Sequence, residues 1–355
     1  MSGGLSQLVA VGAQDEWLTM DPTITFFKVE HKRHTNFAVE SIEQTFAGTP
    51  AAGAMSQVSV ARSGDLLHSC WLEIKCNGTA LGANKTAYDC ISRIQVQIGT
   101  QYIDSHSGEY MKLIDDLRLK KGKRAGLDKL VKTDASTTQR LRIPLSFWFC
   151  REPGLALPLI ALQYHDIRFH VEFSADFPAG ATASIWCDYI FLDQDERQQF
   201  SSNQHEYLIE QVQYTDQSLT GTNASVSLHF NHPVKELIWQ CPGMTAAKLQ
   251  FNGQDRFAQR DADYFEYVQR YQHHSSSPAE SSWSGGTATT GGDKTFLYSF
   301  ALMPEEHSPS GTCNMSRIDN INLNVTGTLS KACVWAINYN VFQVASGMGG
   351  VEFAN

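Results

Sequence analysis

The feature that most constrains the fold of this chain is a recurring two-residue alternation of apolar and polar side chains. From position 93 the sequence reads Arg-Ile-Gln-Val-Gln-Ile-Gly, which puts Ile94, Val96 and Ile98 on one face. Successive side chains of a β-strand point to opposite faces, so this pattern predicts a strand with one buried face. The alternation recurs at residues 57–61, 167–173, 226–230 and 321–325, and denser apolar runs at 145–150, 185–192 and 334–344 predict strands buried on both faces.

Helical periodicity is scarce by comparison. The best candidate is 108–119, where Tyr110, Leu113, Ile114 and Leu117 share one face, and 262–271 is its counterpart later in the chain. We predict eight strands between 24 and 192, and seven or eight between 207 and 344. Many short strands separated by turn residues are typical of sandwiches, so the sequence predicts an all-β chain of two consecutive eight-stranded antiparallel sandwiches with short helices and loops.

An internal repeat supports the division into two sandwiches. Residues 97–99 align with 250–253, Ser146-Phe147 with Ser299-Phe300, and Asp166 with Asp319, all at an offset close to 153 residues. The segments 120–140 and 271–294 also correspond, and both are predicted to be irregular, exposed loops. The predicted organisation is an amino-terminal arm (1–23), a first sandwich (24–193), a polar linker (194–205) and a second sandwich (206–355).

Composition limits the possible partners and compartments. The chain has 355 residues and a formal charge of −9, which argues against a nucleic-acid coat because phosphate neutralisation needs clustered Lys and Arg. The one dense basic run, 120–124, is interpreted as a solvated loop or helix end. No apolar stretch reaches the ~18 residues that a membrane helix needs, and the amino terminus does not resemble a signal peptide. The eight cysteines lack metal-site spacing and are predicted to be free, mostly buried thiols in a reducing compartment.

Motifs for catalysis and metal binding are incomplete. His205-Glu206 begins a zinc-protease motif, but position 209 is Ile, and Asp193 and Asp195 are interpreted as solvated carboxylates. Jelly rolls of the cupin type bind metals, and their first motif has two His one residue apart, then a Glu and then a Gly; the candidates here are His229, His232, Glu236 and Gly243. Histidines three apart on a strand point to opposite faces, and the pair His165 and His170 fails in the same way. We therefore assign no catalytic, cofactor-binding or metal-binding residue and predict that the protein is not an enzyme.

One segment carries a family resemblance. Residues 141–165, Leu-Arg-Ile-Pro-Leu-Ser-Phe-Trp-Phe-Cys-Arg-Glu-Pro-Gly-Leu-Ala-Leu-Pro-Leu-Ile-Ala-Leu-Gln-Tyr-His, closely resemble the signature of the double-jelly-roll major capsid proteins of nucleocytoplasmic large DNA viruses, including iridoviruses, phycodnaviruses and giant amoebal viruses. Similar matches occur at 4–15, 22–28, 33–37, 62–66, 230–239, 337–340 and 346–350. The resemblance therefore covers the chain from end to end, although the chain is short for this family.

The resemblance implies a fold, a function and a set of partners. Each sandwich is expected to be a jelly roll, and three chains are expected to form a homotrimer, a pseudo-hexagonal capsomer that tiles an icosahedral shell. Expected partners are the chain itself, within and between trimers, and minor capsid proteins at the inner face, where the arm would become ordered. Direct contact with nucleic acid is not expected, and contact with an inner membrane is expected to be only indirect. The expected location is the virion capsid, assembled in the host cytoplasm.

Three other interpretations remain open at this point. The short length is compatible with a reduced capsid paralogue. A carbohydrate-binding jelly roll would use loop aromatics such as Trp283, and a cupin-like metalloenzyme would use His229.

Overall fold

The computed structural model of the chain describes residues 2–82, 85–134, 136–276 and 294–354. Contacts between residues divide the chain into two units, one ending at Asn36 and the other beginning at Phe37. The first unit contains helices α1 (Gly3–Val9) and α2 (Ala13–Thr19), neither of which has a buried residue. Its apolar side chains are strongly exposed, among them Trp17 at 82% and Phe27 at 97%.

The strands of residues 37–192 form two antiparallel sheets. They are β1 (Phe37–Thr45), β2 (Met55–Ser59), β3 (Leu66–Lys75), β4 (Ile91–Ile98), β5 (Gln101–Ser107), β6 (Arg140–Pro144), β7 (Leu157–Pro158), β8 (Ile167–Phe173) and β9 (Thr182–Leu192). One sheet has the order β1-β9-β3-β6, with β7 paired to β3, and the other has the order β2-β8-β4-β5. The alternating patterns predicted at 57–61, 93–99 and 167–173 lie on β2, β4 and β8.

The strands of residues 205–351 form a second pair of sheets. They are β10 (His205–Ser218), β11 (Asn223–Leu228), β12 (Pro233–Gln240), β13 (Met244–Phe251), β14 (Gln254–Asp255), β15 (Arg260–Asp261), β16 (Thr295–Ser299), β17 (Cys313–Asn314), β18 (Ile321–Gly327), β19 (Lys331–Ala345) and β20 (Met348–Val351). Their orders are β10-β19-β12-β16 and β11-β18-β13-β14. The strand order β1-β9-β3-β6 of the first sandwich corresponds position by position to the order β10-β19-β12-β16 of the second, and β2-β8-β4-β5 corresponds to β11-β18-β13-β14. The same sandwich topology is therefore used twice.

The sequence repeat falls on equivalent places in the two sandwiches. Gly99 follows β4 and Gly253 follows β13, and both turns need a positive φ, 61° and 81°. A β-carbon disfavours this backbone conformation, so glycine recurs at the same turn. Asp166 and Asp319 likewise lie just before the equivalent strands β8 and β18. The proposed domain limits at 23, 193 and 205 remain predictions.

Each sandwich has an apolar core between its two sheets. In the first, Leu72 and Ile185 from one sheet pack with Ile94 and Phe169 from the other. In the second, Leu237, Trp239 and Val334 pack with Leu249 and Leu323, which share one core. All nine of these residues lie on strands with an alternating or densely apolar pattern and face inward, as the two-residue period predicts.

The remaining regular elements are helices and turns. They are α3 (Gly108–Arg118), α4 (Lys121–Val131), α5 (Gln194–Ser202) and α6 (Gln269–His273), with 3₁₀ turns at Ala87–Cys90, Trp148–Cys150, Pro153–Leu155 and Met315–Arg317 and a π-helical turn at Tyr264–Val268. The helices predicted at 108–119 and 262–271 are thus confirmed in position. Within the described ranges, no helix is long and apolar enough to span a membrane.

The strand predicted at 145–150 is wrong. Strand β6 ends at Pro144, which has no backbone N–H to donate to a sheet, and Trp148–Cys150 forms a 3₁₀ turn. The aromatic side chains of Phe147, Trp148 and Phe149 are nevertheless at most 1% exposed. Their apolar run therefore reflects packing into the first core, not pairing in a sheet.

The irregular loop predicted at 120–140 is also wrong in its first half, which forms α4. The side chains of Leu127 and Val131 are buried on one face of this helix, and the side chain of Arg124 is buried as well. Gly122 and Gly126 lower the helical propensity of this segment and obscured the pattern. Of the loop predicted at 271–294, residues 277–293 lie outside the described residues, and so does Trp283.

The predicted linker at 194–205 contains α5. Asp193 caps this helix by accepting a hydrogen bond from the backbone N–H of Gln194. Phe200 packs against a small apolar cluster of Leu66, Ala156 and Ile190 on the outer face of the first sandwich. Arg197 adds an ion pair with buried Asp65 at 2.8 Å. The polar segment is therefore fixed to the first sandwich by both apolar and ionic contacts.

Candidate functional site

The candidate site is the junction between the two sandwiches, and helix α3 forms its apolar part. Tyr110, Leu113, Ile114 and Leu117, the face recognised in the sequence, are all at most 3% exposed. They pack against a second-sandwich cluster, which consists of Ile238, Leu297, Cys333, Trp335 and Ile337. The helix belongs to the first sandwich in sequence, but it buries its apolar face against the outer side of the β10-β19-β12-β16 sheet.

A second apolar contact lies near the end of the long strand β19. Phe342 and Val344, with Ile209 of β10, belong to the core cluster of the first sandwich. The ring centroid of Trp148 is 5.9 Å from that of Phe342. Two separate apolar contacts fix the relative orientation of the sandwiches, because rotation about either one would break the other.

Charged groups also meet at the junction, and Glu210 of β10 is at their centre. Its carboxylate binds Lys235 at 2.6 Å, pairs closely with Arg151, and lies 3.7 Å from Arg118. Burial would raise the pKa of Glu210, but the charges of Lys235, Arg151 and Arg118 outweigh burial and lower it. One carboxylate of the second sandwich thus binds two arginines of the first.

Lys235 is fully buried, and its ammonium group is surrounded by acceptors. Besides Glu210, it donates to the carbonyl oxygen of Pro304 at 2.7 Å and lies 5.5 Å from the centre of the Tyr339 ring. Burial lowers the pKa of Lys235 to about 8, against the opposing effect of Glu210. A buried ammonium is tolerated only with such partners, since its desolvation costs several kcal/mol.

A second buried ion cluster is formed by Asp116 at the end of α3. Its carboxylate lies 2.5 Å from Arg124 of α4 and 2.8 Å from Arg270 of α6. Arg270 also donates to the carbonyl oxygen of Asp116 at 2.9 Å, and the hydroxyl of Ser276 donates to the same oxygen at 2.6 Å. The cluster therefore links helices of both sandwiches.

A third cluster is formed by His274 with two carboxylates. Its Nε2 lies 2.9 Å from Glu236, and its Nδ1 lies 3.2 Å from Glu305, which also accepts from the backbone N–H of Ser275 at 2.8 Å. Burial would lower the pKa of His274, but Glu236 and Glu305 raise it. Burial would raise the pKa of Glu236, but His274 outweighs it and lowers that pKa to about 2. Both observations describe an ionised pair inside the protein.

The histidines of the near-miss metal motif do not converge on a site. His229 is exposed, whereas Glu236 is buried and bound to His274. Gly243 has a backbone reason to be glycine, because its φ is 80° and a β-carbon there would lie 2.0 Å from the carbonyl oxygen of Thr328. In the described ranges no group of three or more His, Cys, Asp or Glu side chains is arranged to hold a metal ion.

The other candidate residues of the sequence analysis have local structural contacts. His165 lies 2.9 Å from the carbonyl oxygen of Gly349, and His170 lies 2.6 Å from the side-chain oxygen of Gln97. His205 contacts the carbonyl oxygen of Phe200 at 2.7 Å. Within the basic run at 120–124, Arg124 is 5% exposed and ion-paired, so the interpretation of that run as wholly solvated is wrong for this residue.

The charged junction residues were missed by sequence reasoning. The sequence separates Arg118, Arg151 and Glu210 widely. Arginine and glutamate are common surface residues, so none of the three indicates a buried position by itself. One signal was available for Lys235 and Glu236, because they interrupt the apolar strand Val234–Trp239. A charged pair within a strand that is otherwise buried indicates buried partners elsewhere.

Comparison with known proteins connects this geometry to a family. Residues 25–193 match the family model described as "Major capsid protein N-terminus", and residues 196–245 and 242–350 match "Large eukaryotic DNA virus major capsid protein". Over the whole length of both chains, the sequence is 45% identical to the major capsid protein of Pyramimonas orientalis virus. This chain belongs to the major capsid protein family of large eukaryotic DNA viruses.

Two further comparisons agree with this membership. The sequence is 36% identical to the major capsid protein of Paramecium bursaria Chlorella virus 1 over all of both chains. The fold matches the quasi-atomic model of the PBCV-1 virus capsid with a TM-score of 0.83 and 31% identity, covering 93% of this chain and 100% of the other. The chain thus has the double-jelly-roll fold and is a structural protein of the virus shell, not an enzyme.

Alignments with the capsid relatives contain more positions than this chain has residues. The alignments with the Pyramimonas orientalis virus and Chlorella virus proteins span 401 and 454 positions, against 355 residues here. These relatives therefore contain insertions that this major capsid protein lacks. Both sandwich topologies are present in this chain without the residues that the relatives insert.

Proposed function

We propose that three copies of this major capsid protein form a homotrimer, a pseudo-hexagonal capsomer, and that such trimers tile an icosahedral shell. The observation that carries the proposal is the repeated topology: one chain supplies two sandwiches of the same strand order. Three chains then supply six similar wedges, so a three-fold ring approximates a hexagon. In such a ring each subunit buries one surface against a different surface of the next.

The junction supports this function because a capsomer needs wedges at a fixed angle. The apolar contacts of α3 and of Phe342 resist rotation of one sandwich against the other. The ion clusters at Glu210 and Asp116 add directional contacts whose partners cannot be exchanged without leaving a buried charge unpaired. Because the two sandwiches are held at a fixed angle, that angle sets the shape of the ring and of the shell built from it.

The same proposal includes the contacts of the shell with minor capsid proteins, the genome and the inner membrane. The arm up to residue 23 has exposed apolar side chains such as Trp17 and Leu18, which favour ordering against the inner base of the shell or against minor capsid proteins. The charge of −9 favours a shell that does not bind the genome directly, with only indirect contact to an inner membrane. We place assembly in the host cytoplasm and the final location in the virion, consistent with eight free thiols in the folded chain.

The test is mass measurement combined with electron microscopy of the purified protein. The expected result is a stable particle of about 118 kDa, three times the 39.5 kDa chain, that appears as a pseudo-hexagonal ring. Monomers at micromolar concentration with no ring would contradict the proposal. Stable rings that do not assemble into a shell would favour a reduced paralogue over the main shell protein.

A further inference from the structure

Three cysteine side chains meet in the core of the first sandwich. Cys70 of β3 and Cys187 of β9 are directly opposite each other on neighbouring antiparallel strands, and their Sγ atoms are 3.6 Å apart. Both residues are at most 1% exposed. Cys150 lies within hydrogen-bonding reach of Cys70 and is only partly buried. The three come from distant parts of the chain, so only folding brings them together.

The opposed pair satisfies the geometry of a disulfide. Residues directly opposite on antiparallel strands have Cα atoms about 4.5–5.5 Å apart, within the range of about 4.4–6.8 Å that disulfides require. The two sulfur atoms need to approach by roughly 1.5 Å to reach a bond length of about 2.05 Å, which side-chain rotation can provide. We propose that Cys70 and Cys187 are an oxidisable pair that forms an intrachain disulfide between β3 and β9, with Cys150 as the thiol through which an oxidant enters.

Accessibility gives Cys150 its distinct role. Burial raises the pKa of the Cys70 thiol, and its contacts with Cys150 and Cys187 raise it further, so Cys70 contains little of the reactive thiolate. A dissolved oxidant also has no direct path to a side chain that is 1% exposed. Cys150 lies at the edge of the same cluster, where an oxidant can reach it first.

With glutathione disulfide as the oxidant, the exchange balances in three steps. The Cys150 thiolate attacks one glutathione sulfur and releases the first glutathione thiolate. Cys70 then attacks the Cys150 sulfur, releases the second glutathione thiolate and leaves a Cys70–Cys150 bond. Cys187 finally attacks the Cys70 sulfur and returns Cys150 to its thiol. The two protons lost by Cys70 and Cys187 pass to the two glutathiones, which receive the two electrons.

The bond would join the two central strands of the β1-β9-β3-β6 sheet. It links residues 117 apart in sequence, and cross-links that close long loops restrict the unfolded chain most. The protein would then be assembled with reduced thiols and stabilised after exposure to an oxidising medium. This consequence for the shell depends on the function proposed above, whereas the disulfide chemistry of the isolated chain does not.

The experiment oxidises the purified, reduced full-length protein with glutathione disulfide and then blocks remaining thiols with N-ethylmaleimide. Peptide mapping by mass spectrometry should find the peptide of Cys70 joined to the peptide of Cys187, with two fewer blocked thiols per chain. The melting temperature should rise by a few degrees and return to its original value after reduction with dithiothreitol.

Three variants separate the roles of the cysteines. Cys187→Ala should abolish the joined peptide, whereas the matched control Cys90→Ala, which removes another buried thiol of the same core, should retain it. Cys150→Ala should form the same final bond at least about tenfold more slowly. If Cys187→Ala folds poorly, Cys187→Val fills the site and should give the same loss of the joined peptide.

Several results would overturn the inference. These are a stable Cys70–Cys150 bond as the final product, disulfides only between chains, or no loss of thiols while the protein stays folded. An unchanged oxidation rate in Cys150→Ala would remove the entry role of that residue. Failure of the protein to form trimers would leave this disulfide test unaffected, so the two proposals fail independently.

Discussion

At the scale of single residues, Glu210 joins the two sandwiches through buried ion pairs. Its side chain is 7% exposed, and its cationic partners come from both sandwiches: Arg118 and Arg151 from the first, Lys235 from the second. Its carboxylate offsets part of the free-energy cost of burying these three cations. Glu210 therefore couples the stability of each sandwich to the presence of the other.

Replacing this carboxylate should cost much of the stability of the protein. Glu210→Gln keeps the shape but leaves Lys235 and Arg151 without a counter-charge, and removing one partner of a buried pair costs about 3–5 kcal/mol. Urea denaturation should show this loss of unfolding free energy. The matched control is Glu206→Gln, an exposed position on the same strand, which should change it by less than about 0.5 kcal/mol. Equal effects of the two substitutions would contradict this role of Glu210.

The pair of His274 and Glu236 predicts how stability depends on pH. The pKa of His274 is raised above 6.5 in the folded protein, so its contribution is fully present below pH 6.5 and is lost as the pH rises through that raised value. The pKa of Glu236 is lowered from 4.5 to about 2, so its contribution is fully present above pH 4.5 and is lost as the pH falls towards 2. Both contributions are therefore complete between pH 4.5 and 6.5.

Denaturation of the wild type and of His274→Gln at pH 5.5 and pH 7.5 tests this dependence. The wild type should lose unfolding free energy between these two values, and the variant should lose less, because the glutamine does not titrate. Titrating groups that do not contact His274 are common to both proteins and cancel in the comparison. A pH dependence that is the same in the two proteins would show that His274 does not contribute.

At the scale of elements, helix α3 is where sequence pattern and tertiary contact agree best. Its apolar face was visible from the spacing of Tyr110, Leu113, Ile114 and Leu117, and that face is buried. The pattern could not say which surface covers the face. The β-sheet of the second sandwich does so, through residues that begin more than 100 positions later.

Truncating this face should weaken the junction more than the first core. Leu117→Ala removes a side chain that is 0% exposed and should reduce the unfolding free energy by about 2–5 kcal/mol. Glu109→Gln, an exposed position on the same helix, should change it by less than about 0.5 kcal/mol. Hydrogen exchange should also show that amides of β12 and β19 near Trp335 become less protected in the leucine variant. Unchanged protection there would indicate that the helix does not stabilise the second sandwich.

Helix α4 shows the limit of pattern reading at the same scale. Its segment contains two glycines and a high fraction of charged residues, so local propensity favoured a loop. The buried ion pair between Arg124 and Asp116 and the packing of Leu127 and Val131 outweigh that propensity. Tertiary contacts commonly override weak local preferences, and here they do so through a charge that looked solvated.

At the scale of the whole molecule, the short arm is the most direct place to separate folding from assembly. The contact units divide at Asn36, and the arm side chains of α1 and α2 are exposed. Deleting residues 1–20 should leave folded trimers but impair the formation of closed shells, as measured by light scattering and electron microscopy. A full-length sample in the same buffer is the control. Loss of the trimers themselves would show that the arm is needed before shell assembly.

The sequence by itself determined the class of the fold and its duplication. The two-residue alternation, the offset near 153 residues and the signature at 141–165 depend on local order along the chain, and each corresponds to the observed strands, repeat and family. Only the tertiary structure decided how the two sandwiches are joined, that Arg124 and Lys235 are buried, and that Cys70 faces Cys187. The physical reason is that burial and pairing of charges and thiols depend on which distant residues meet, and a periodic pattern contains no information about a partner 100 positions away.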